Sequence, residues 1–258
     1  MSVRKSVKQT GGTGGRVAKP QRVAPRGTRP PRATVAPEVA VSIRNVGRVF
    51  DILRRAAPSW NAPVVTLINT HTRDPFKTLT SCILSLRTKD EVTAVASQRM
   101  FALADTPEKM AAVDEGVLAR AIYPVGFYRT KAKSLREIAR QLLERFDGRV
   151  PDEIDPLLTL PGVGRKTANL VVAQAYGKPA ICVDTHVHRI SNRWGYVRTK
   201  MPEQTETLLR AQLPARHWIE INHLLVAFGQ TICHPTSPRC SICPIARYCP
   251  RIGVVHSR

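Results

Sequence analysis

From about residue 40 onward the apolar residues of this chain recur at intervals of three and four, the spacing that lays them along one face of a helix. Phe50 and Leu53 follow Val46 at i+4 and i+7. Leu79, Ile83 and Leu86 follow Phe76 at i+3, i+7 and i+10, and Ile138, Leu142 and Phe146 follow Leu135 in the same manner. On a strand the same residues would scatter over both faces. No period-2 run of useful length appears, nor a repeat of about 20 to 50 residues, so the expected fold is all-α. The punctuation agrees. Asp90 is placed to cap a helix beginning at Glu91, and Thr106-Pro107 to open another from the N-cap and N1 positions. Gly148 and Gly177 sit where a helix ends in the left-handed conformation.

Lys and Arg number 40 against 19 Asp and Glu, a formal charge of +21. That excess exceeds what solubility requires and points to a polyanionic partner, nucleic acid or an anionic membrane. No stretch approaches the roughly 18 to 20 consecutive apolar residues of a membrane span, and the N-terminus lacks the apolar core of a secretory signal. Nucleic acid therefore leads, with no membrane partner and a cytoplasmic, nucleoid-associated location expected. Residues 1–38 are rich in Gly, Pro, Arg and Lys and carry nine basic residues against Glu38 alone, a surplus of 8 that leaves +13 for the rest. They are expected to form a disordered basic tail, either an inert solvated extension or one that raises non-specific DNA affinity through counterion release.

The segment Leu160-Pro161-Gly162-Val163-Gly164 reverses the chain between an apolar turn and a strongly helical run beginning Arg165-Lys166-Thr167-Ala168-Asn169. This pattern reads as helix, hairpin, helix. Two glycines permit positive φ and close approach to a partner, and the free amides of the new helix form an anion site that suits a DNA phosphate. An ordinary helix connection would have the same shape. Arg165 and Lys166 separate the two readings, because cations in a first helical turn oppose the macrodipole by about 0.3 to 1 kcal/mol each. The same field, the neighbouring Arg165 and any desolvation are expected to shift Lys166 toward its neutral, nucleophilic amine.

Val183-Asp184-Thr185-His186-Val187 follows an apolar run and precedes a helical one, which makes Asp184 a natural N-cap. Amides that cap through a carboxylate also keep it ionised, and an ionised carboxylate can stabilise a cationic sugar transition state or accept a proton. Capping and catalysis are compatible here. His186 and His188 read as packing or phosphate-side residues rather than metal ligands.

Of six cysteines, Cys233, Cys240, Cys243 and Cys249 lie in the last 26 residues, spaced Cys-x6-Cys-x2-Cys-x5-Cys among Pro235, Pro238, Pro244 and Pro250. In a chain of this size without a secretory signal, clustered thiols hold a metal more often than they pair as disulfides. Four thiolates suit tetrahedral zinc or a cubane iron–sulfur cluster, and three graded short spacings suit the compact cluster better. The interleaved Arg239, Arg247 and Arg251 either face phosphates or coat a solvated loop.

Taken together, the run from Leu160 to Asn169, then Val183 to His186, then the four cysteines resemble the endonuclease III family over about residues 40–253. The resemblance implies a helix-hairpin-helix glycosylase fold with DNA in a cleft between two domains. One is a six-helix domain over 68–178; the other is a cluster domain joining 39–67 to 179–253. It implies a [4Fe-4S] cluster on Cys233, Cys240, Cys243 and Cys249, Lys166 as the Schiff-base lysine and Asp184 as the catalytic aspartate. Leu160, Gly162, Val163, Gly164, Arg165 and His186 would face DNA. The partner would be double-stranded DNA with damaged bases or abasic sites, bound by a monomer with no obligate protein partner, and the activity that of a bifunctional glycosylase and abasic-site lyase. One departure stands out: where the bacterial type carries a glutamine that fills the gap left by the flipped nucleotide, this chain has Arg87. Phe127 falls at the family's apolar wedge and could equally be a core aromatic. Rival readings are a monofunctional mismatch glycosylase of the same superfamily, which lacks the lysine, and a non-catalytic iron–sulfur DNA-binding protein.

Overall fold

The helical spacing becomes twelve α-helices among the described residues, with no strand. The computed structural model describes residues 40–258, so the expected basic tail over residues 1–38 lies outside the described residues. In chain order the helices are α1 (Val46–Ala56), α2 (Val64–Thr72), α3 (Pro75–Ser85), α4 (Asp90–Leu103), α5 (Pro107–Ala112) and α6 (Glu115–Ile122). There follow α7 (Tyr128–Arg145), α8 (Ile154–Leu158), α9 (Arg165–Tyr176), α10 (Thr185–Arg193), α11 (Pro202–Gln212) and α12 (Glu220–Thr231). None is long and apolar enough to cross a membrane.

Two apolar cores form. The first draws on residues of α2 to α9, with Leu79, Ile83, Met100, Leu118, Leu135 and Ile138 buried in it. The second unites α1 with α10, α11, α12 and the cysteine loops, around Phe50, Leu53, Val187, Ile190, Leu225 and Phe228. The chain passes back from one to the other along Ala180–Val183. Ala180 and Cys182 enter the first core while Ile181 and Val183 enter the second. Such alternation is what an extended segment produces, and it delivers Asp184 to the seam between the cores.

Thr106 caps α5 through its hydroxyl, with Pro107 at the first helical position. Gly148 and Gly177 take φ of 72° and 64° at helix ends. Two local expectations are corrected. Asp90 is the first residue of α4, not its cap; its carboxylate instead accepts the Val64 amide at 3.2 Å and Gln230 Nε2 at 3.3 Å. Pro63 precedes α2 and has no side chain that can cap, so the nearest carboxylate serves that helix's positive end from outside. In the hairpin only Gly162 has positive φ, at 76°, while Gly164 is extended at φ −92°. A Cβ at Gly164 would meet no protein atom within 4 Å. The fold itself does not require glycine there.

Candidate active site

A groove of about 1550 Å³ runs along the seam of the two cores. Its walls include Arg87 and Asp90 after α3, Lys166 and Leu170 of α9, Asp184 and His186 at the head of α10, and Gln230 of α12. Lys166 and Asp184, 18 positions apart in sequence, therefore share one wall-lined space.

Lys166 reaches it from the first turn of α9, whose N-cap Gly164 has no side chain to satisfy the opening amides. No protein acceptor takes up the amides of Gly162 or Gly164 among the described residues, and both residues are exposed. Leu160 and Val163 are buried in the first core, so only their backbone can face a partner. Arg165 is half exposed yet held by Glu206 of α11, with Nη2 3.0 Å and Nε 3.1 Å from its carboxylate oxygens. Glu206 is buried and also accepts Arg210 Nε at 2.9 Å, while Arg210 donates to Asn169 at 2.8 Å. A buried carboxylate shared by two guanidiniums is well paired. It anchors the start of α9 and turns Arg165 away from the role of pressing on Lys166.

The surroundings of Lys166 act in both directions on the expected neutral amine. Burial works against the Lys166 ammonium, but Cys182, Asp184, Cys82 and Asp90 work for it and hold its pKa above the usual lysine value. Cys82 and Cys182 are themselves pushed up by burial, Cys82 to about 12, so both are uncharged thiols at neutral pH. At neutral pH the carboxylates of Asp184 and Asp90 remain to favour the Lys166 ammonium, against its burial.

Asp184 caps α10 in the ordinary way, its Oδ1 accepting the amides of His186 at 2.9 Å and Val187 at 2.8 Å. Oδ2 has no protein partner among the described residues. One oxygen is structural and the other is available to a ligand. The His186 ring is kept below its ordinary pKa by burial, reinforced by Arg189 and Lys166 and opposed by Asp184 and Asp90, so it is neutral at pH 7. His188 is tied to Thr205, with Nδ1 2.7 Å from its hydroxyl, and serves packing.

Sequence reasoning passed over Gly229, in the interior of α12. A Cβ there would lie 2.2 Å from His186 Nδ1 and 2.9 Å from Arg189 Nη2. Glycine inside a helix costs about 1 kcal/mol relative to alanine, and here it admits the first turns of α10. An isolated helical glycine was the available signal.

Arg87, on the groove wall, meets Phe127. Both have positive φ, 55° and 59°. The Arg87 guanidinium lies over the Phe127 ring at 5.1 Å, and Phe127 is 61 % exposed. That exposure excludes a core aromatic.

The four clustered cysteines line a single small cavity, about 20 Å³, together with Arg193 and Arg239. Arg193 is 7 % exposed and forms no ion pair among the described residues. Its guanidinium donates to Cys233 Sγ at 3.3 Å, to the His234 carbonyl at 2.6 Å and to the Pro235 carbonyl. Burial pushes the Cys243 and Cys249 thiols up, to about 12 and about 11. A buried cation is costly unless compensated; the His234 and Pro235 carbonyls contribute, and four thiolates bound to an electrophilic centre would add negative charge. Among the described residues no three of these side chains are gathered closely enough to hold a metal ion as they stand, though four thiols on one cavity beside a buried guanidinium are the donor chemistry of a thiolate-bound metal group.

Residues 80–215 match the model for HhH-GPD superfamily base excision DNA repair proteins. The chain is 48% identical over 176 residues to Endonuclease III of Thermotoga maritima, which covers 68% of this chain and 83% of that protein. It is similar to the protein in a non-covalent endonuclease III–DNA complex, with a TM-score of 0.72, 33% identity, and coverage of 81% of this chain and 95% of that one. The protein of a trapped endonuclease III–DNA covalent intermediate matches with the same TM-score and identity, covering 81% and 96%. The chain belongs to the endonuclease III family, within the HhH-GPD superfamily of base excision DNA repair proteins.

Proposed function

We propose that this bifunctional DNA glycosylase and abasic-site lyase excises oxidised pyrimidines from double-stranded DNA through Lys166 as nucleophile, with Asp184 as its acidic partner. One observation carries the assignment of roles: a half-buried amine and a carboxylate with one oxygen that has no protein partner among the described residues line the same groove, at the seam of the two cores.

The chemistry follows from that pairing. The damaged nucleotide leaves the base stack, at least cost where its pairing is already weak. The Lys166 ammonium must first lose a proton, to water or through Asp184 Oδ2. The amine lone pair then bonds to C1′ as the bond from C1′ to the base breaks, and the base departs with a proton. Asp184 stabilises positive charge on the sugar throughout. Opening of the sugar ring leaves an iminium between Lys166 and C1′. This acidifies the C2′ hydrogen; its loss expels the 3′ phosphate, and water releases the enzyme by hydrolysing the imine.

The rest of the surface suits a duplex. The uncapped amides of the hairpin at Gly162 and Gly164, with Arg165 beside them, would hold a phosphate. Arg87 would fill the space of the extruded nucleotide and, as a double donor, would prefer a guanine edge, while Phe127 would wedge between base pairs. The two apolar cores are the two domains that flank the DNA. Cys233, Cys240, Cys243 and Cys249 would hold a [4Fe-4S] cluster, which when bound supplies four metal–thiolate bonds that tie the C-terminal loops together.

The reading is tested on a duplex with one thymine glycol. Free base and a strand ended by β-elimination are expected; intact abasic product alone would favour the monofunctional rival, and no release of base would leave only a DNA-binding protein.

Asp184→Asn separates capping from catalysis, because asparagine caps as well as aspartate. Excision should fall by about 10² to 10⁴, the range of a lost acid–base partner. The sign of the pH effect is fixed. The attacking form of Lys166 is the deprotonated one and its pKa is raised, so the single-turnover rate of the parent climbs with pH through the neutral range. Removing Asp184 takes away one group that favours the ammonium, so the rising limb of the variant should move to lower pH. An unmoved limb would reduce Asp184 to a helix cap.

Cys243→Ser should lower bound iron and visible absorbance in the purified protein and raise its susceptibility to proteolysis near the C-terminus. Unchanged iron content would remove Cys243 from the ligand set.

A further inference from the structure

A lysine outside the groove joins the two turns that carry Arg87 and Phe127. Lys131 lies in the second turn of α7, in register with the apolar residues Leu135, Ile138 and Leu142, and is itself only 7 % exposed. Its Nζ donates to the Leu84 carbonyl at 2.9 Å, the Leu86 carbonyl at 2.5 Å and the Thr88 hydroxyl at 3.3 Å. These acceptors flank Arg87 on both sides. The Thr88 hydroxyl oxygen also accepts the Gly126 amide at 3.2 Å, next to Phe127. Gly126 is packed so closely that a Cβ would sit 2.7 Å from the Arg87 carbonyl.

We propose that Lys131 is a positioning residue for lesion recognition: its ammonium clamps the Arg87 turn to the Phe127 turn, so that the two exposed side chains meet the duplex as one rigid wedge. Arg87 and Phe127 each occupy the left-handed backbone region that non-glycine residues enter only under constraint. The clamp supplies that constraint. No carboxylate pairs with Lys131 among the described residues, and burial pushes its pKa down to about 8. A buried ammonium is costly without compensation, and the three oxygens around the Arg87 turn provide it. A wedge held in advance is inserted without first being ordered, which is where preorganisation contributes to binding.

This inference rests on the proposed roles of Arg87 and Phe127, and its test separates wedge insertion from the covalent step. Lys131→Met keeps the stem and removes the donors. Three measurements are made: fluorescence of 2-aminopurine opposite a reduced, unreactive abasic site in duplex DNA, single-turnover excision from duplex DNA, and nicking of a single-stranded oligonucleotide with a natural abasic site. Loss of the clamp should lower the duplex fluorescence response and slow duplex excision by about tenfold or more, while single-strand nicking stays within about threefold, since misplacement acts on the wedge and not on Lys166. Thr88→Val, which breaks the relay to Gly126 and leaves Lys131 in place, should shift the same two duplex readouts in the same direction. Equal losses on duplex and single strand in both variants would make Lys131 a structural prop and overturn the proposal, as would parental behaviour in both. A parent protein that fails to nick the natural abasic site overturns the lyase reading and this inference with it.

Discussion

Lys166→Ala is expected to abolish strand nicking, by at least about 10³-fold for loss of a covalent nucleophile, while the affinity for abasic DNA changes by less than about tenfold. Without the amine no iminium forms at C1′, the C2′ hydrogen is not acidified, and β-elimination has no driving force. Binding draws on many contacts. One lost cation should flatten the slope of log K against log salt by about 0.9, the release of about one counterion. Nicking assays and a salt titration of DNA affinity check both halves. Residual nicking near the parental rate would remove Lys166 from the chemistry, and a collapse of affinity would make it chiefly a phosphate contact.

Gly229→Ala is expected to damage catalysis more than stability, although it introduces a single methyl group in the second core. That methyl would fall 2.2 Å from the His186 ring and 2.9 Å from the Arg189 guanidinium. Arg189 is held in place, donating to the Cys233 carbonyl at 2.8 Å and contacting His186 Nδ1 at 3.2 Å. The relief available is for the first turn of α10 to back away from α12, and Asp184 is the cap of that turn. Overpacking costs about 1 to 3 kcal/mol, offset by about 1 kcal/mol from the better helix propensity of alanine. A displacement near 1 Å of a catalytic group can cost about 10² in rate. Single-turnover excision should therefore fall by about two orders of magnitude while the thermal midpoint drops only a few degrees. Parental excision rates would mean that His186 and Arg189 reorient without moving Asp184.

The helices, the hairpin and the cysteine cavity were legible in the sequence because each is local. Apolar spacing sets a helix, Thr106-Pro107 sets its start, and four thiols within a short span can close on one volume only if their loops fold tightly. Asp90 illustrates the opposite case. Its position before Glu91 suggested a cap for α4, yet its carboxylate serves α2, because Pro63 leaves that helix without a capping side chain and tertiary packing brings the two together. Arg165 was expected to press on Lys166; Glu206, 41 residues away, takes its guanidinium instead. The groups that act on the Lys166 amine are hidden from the sequence for the same reason. The helix field and Arg165 are visible in the sequence, but the opposing carboxylates of Asp184 and Asp90 reach it only through the fold. Lys131 carried a signal that went unused, a lysine in the register of an apolar stripe on α7.

The site of the covalent bond is the most direct test. Reduction with borohydride during turnover on an abasic-site duplex, followed by proteolysis and mass spectrometry of the cross-linked peptide, identifies the amine that bonds to C1′. A single adduct on the peptide containing Lys166 is predicted, and its loss in Lys166→Ala. An adduct on another lysine, or an adduct that persists in that variant, would contradict Lys166 as the nucleophile.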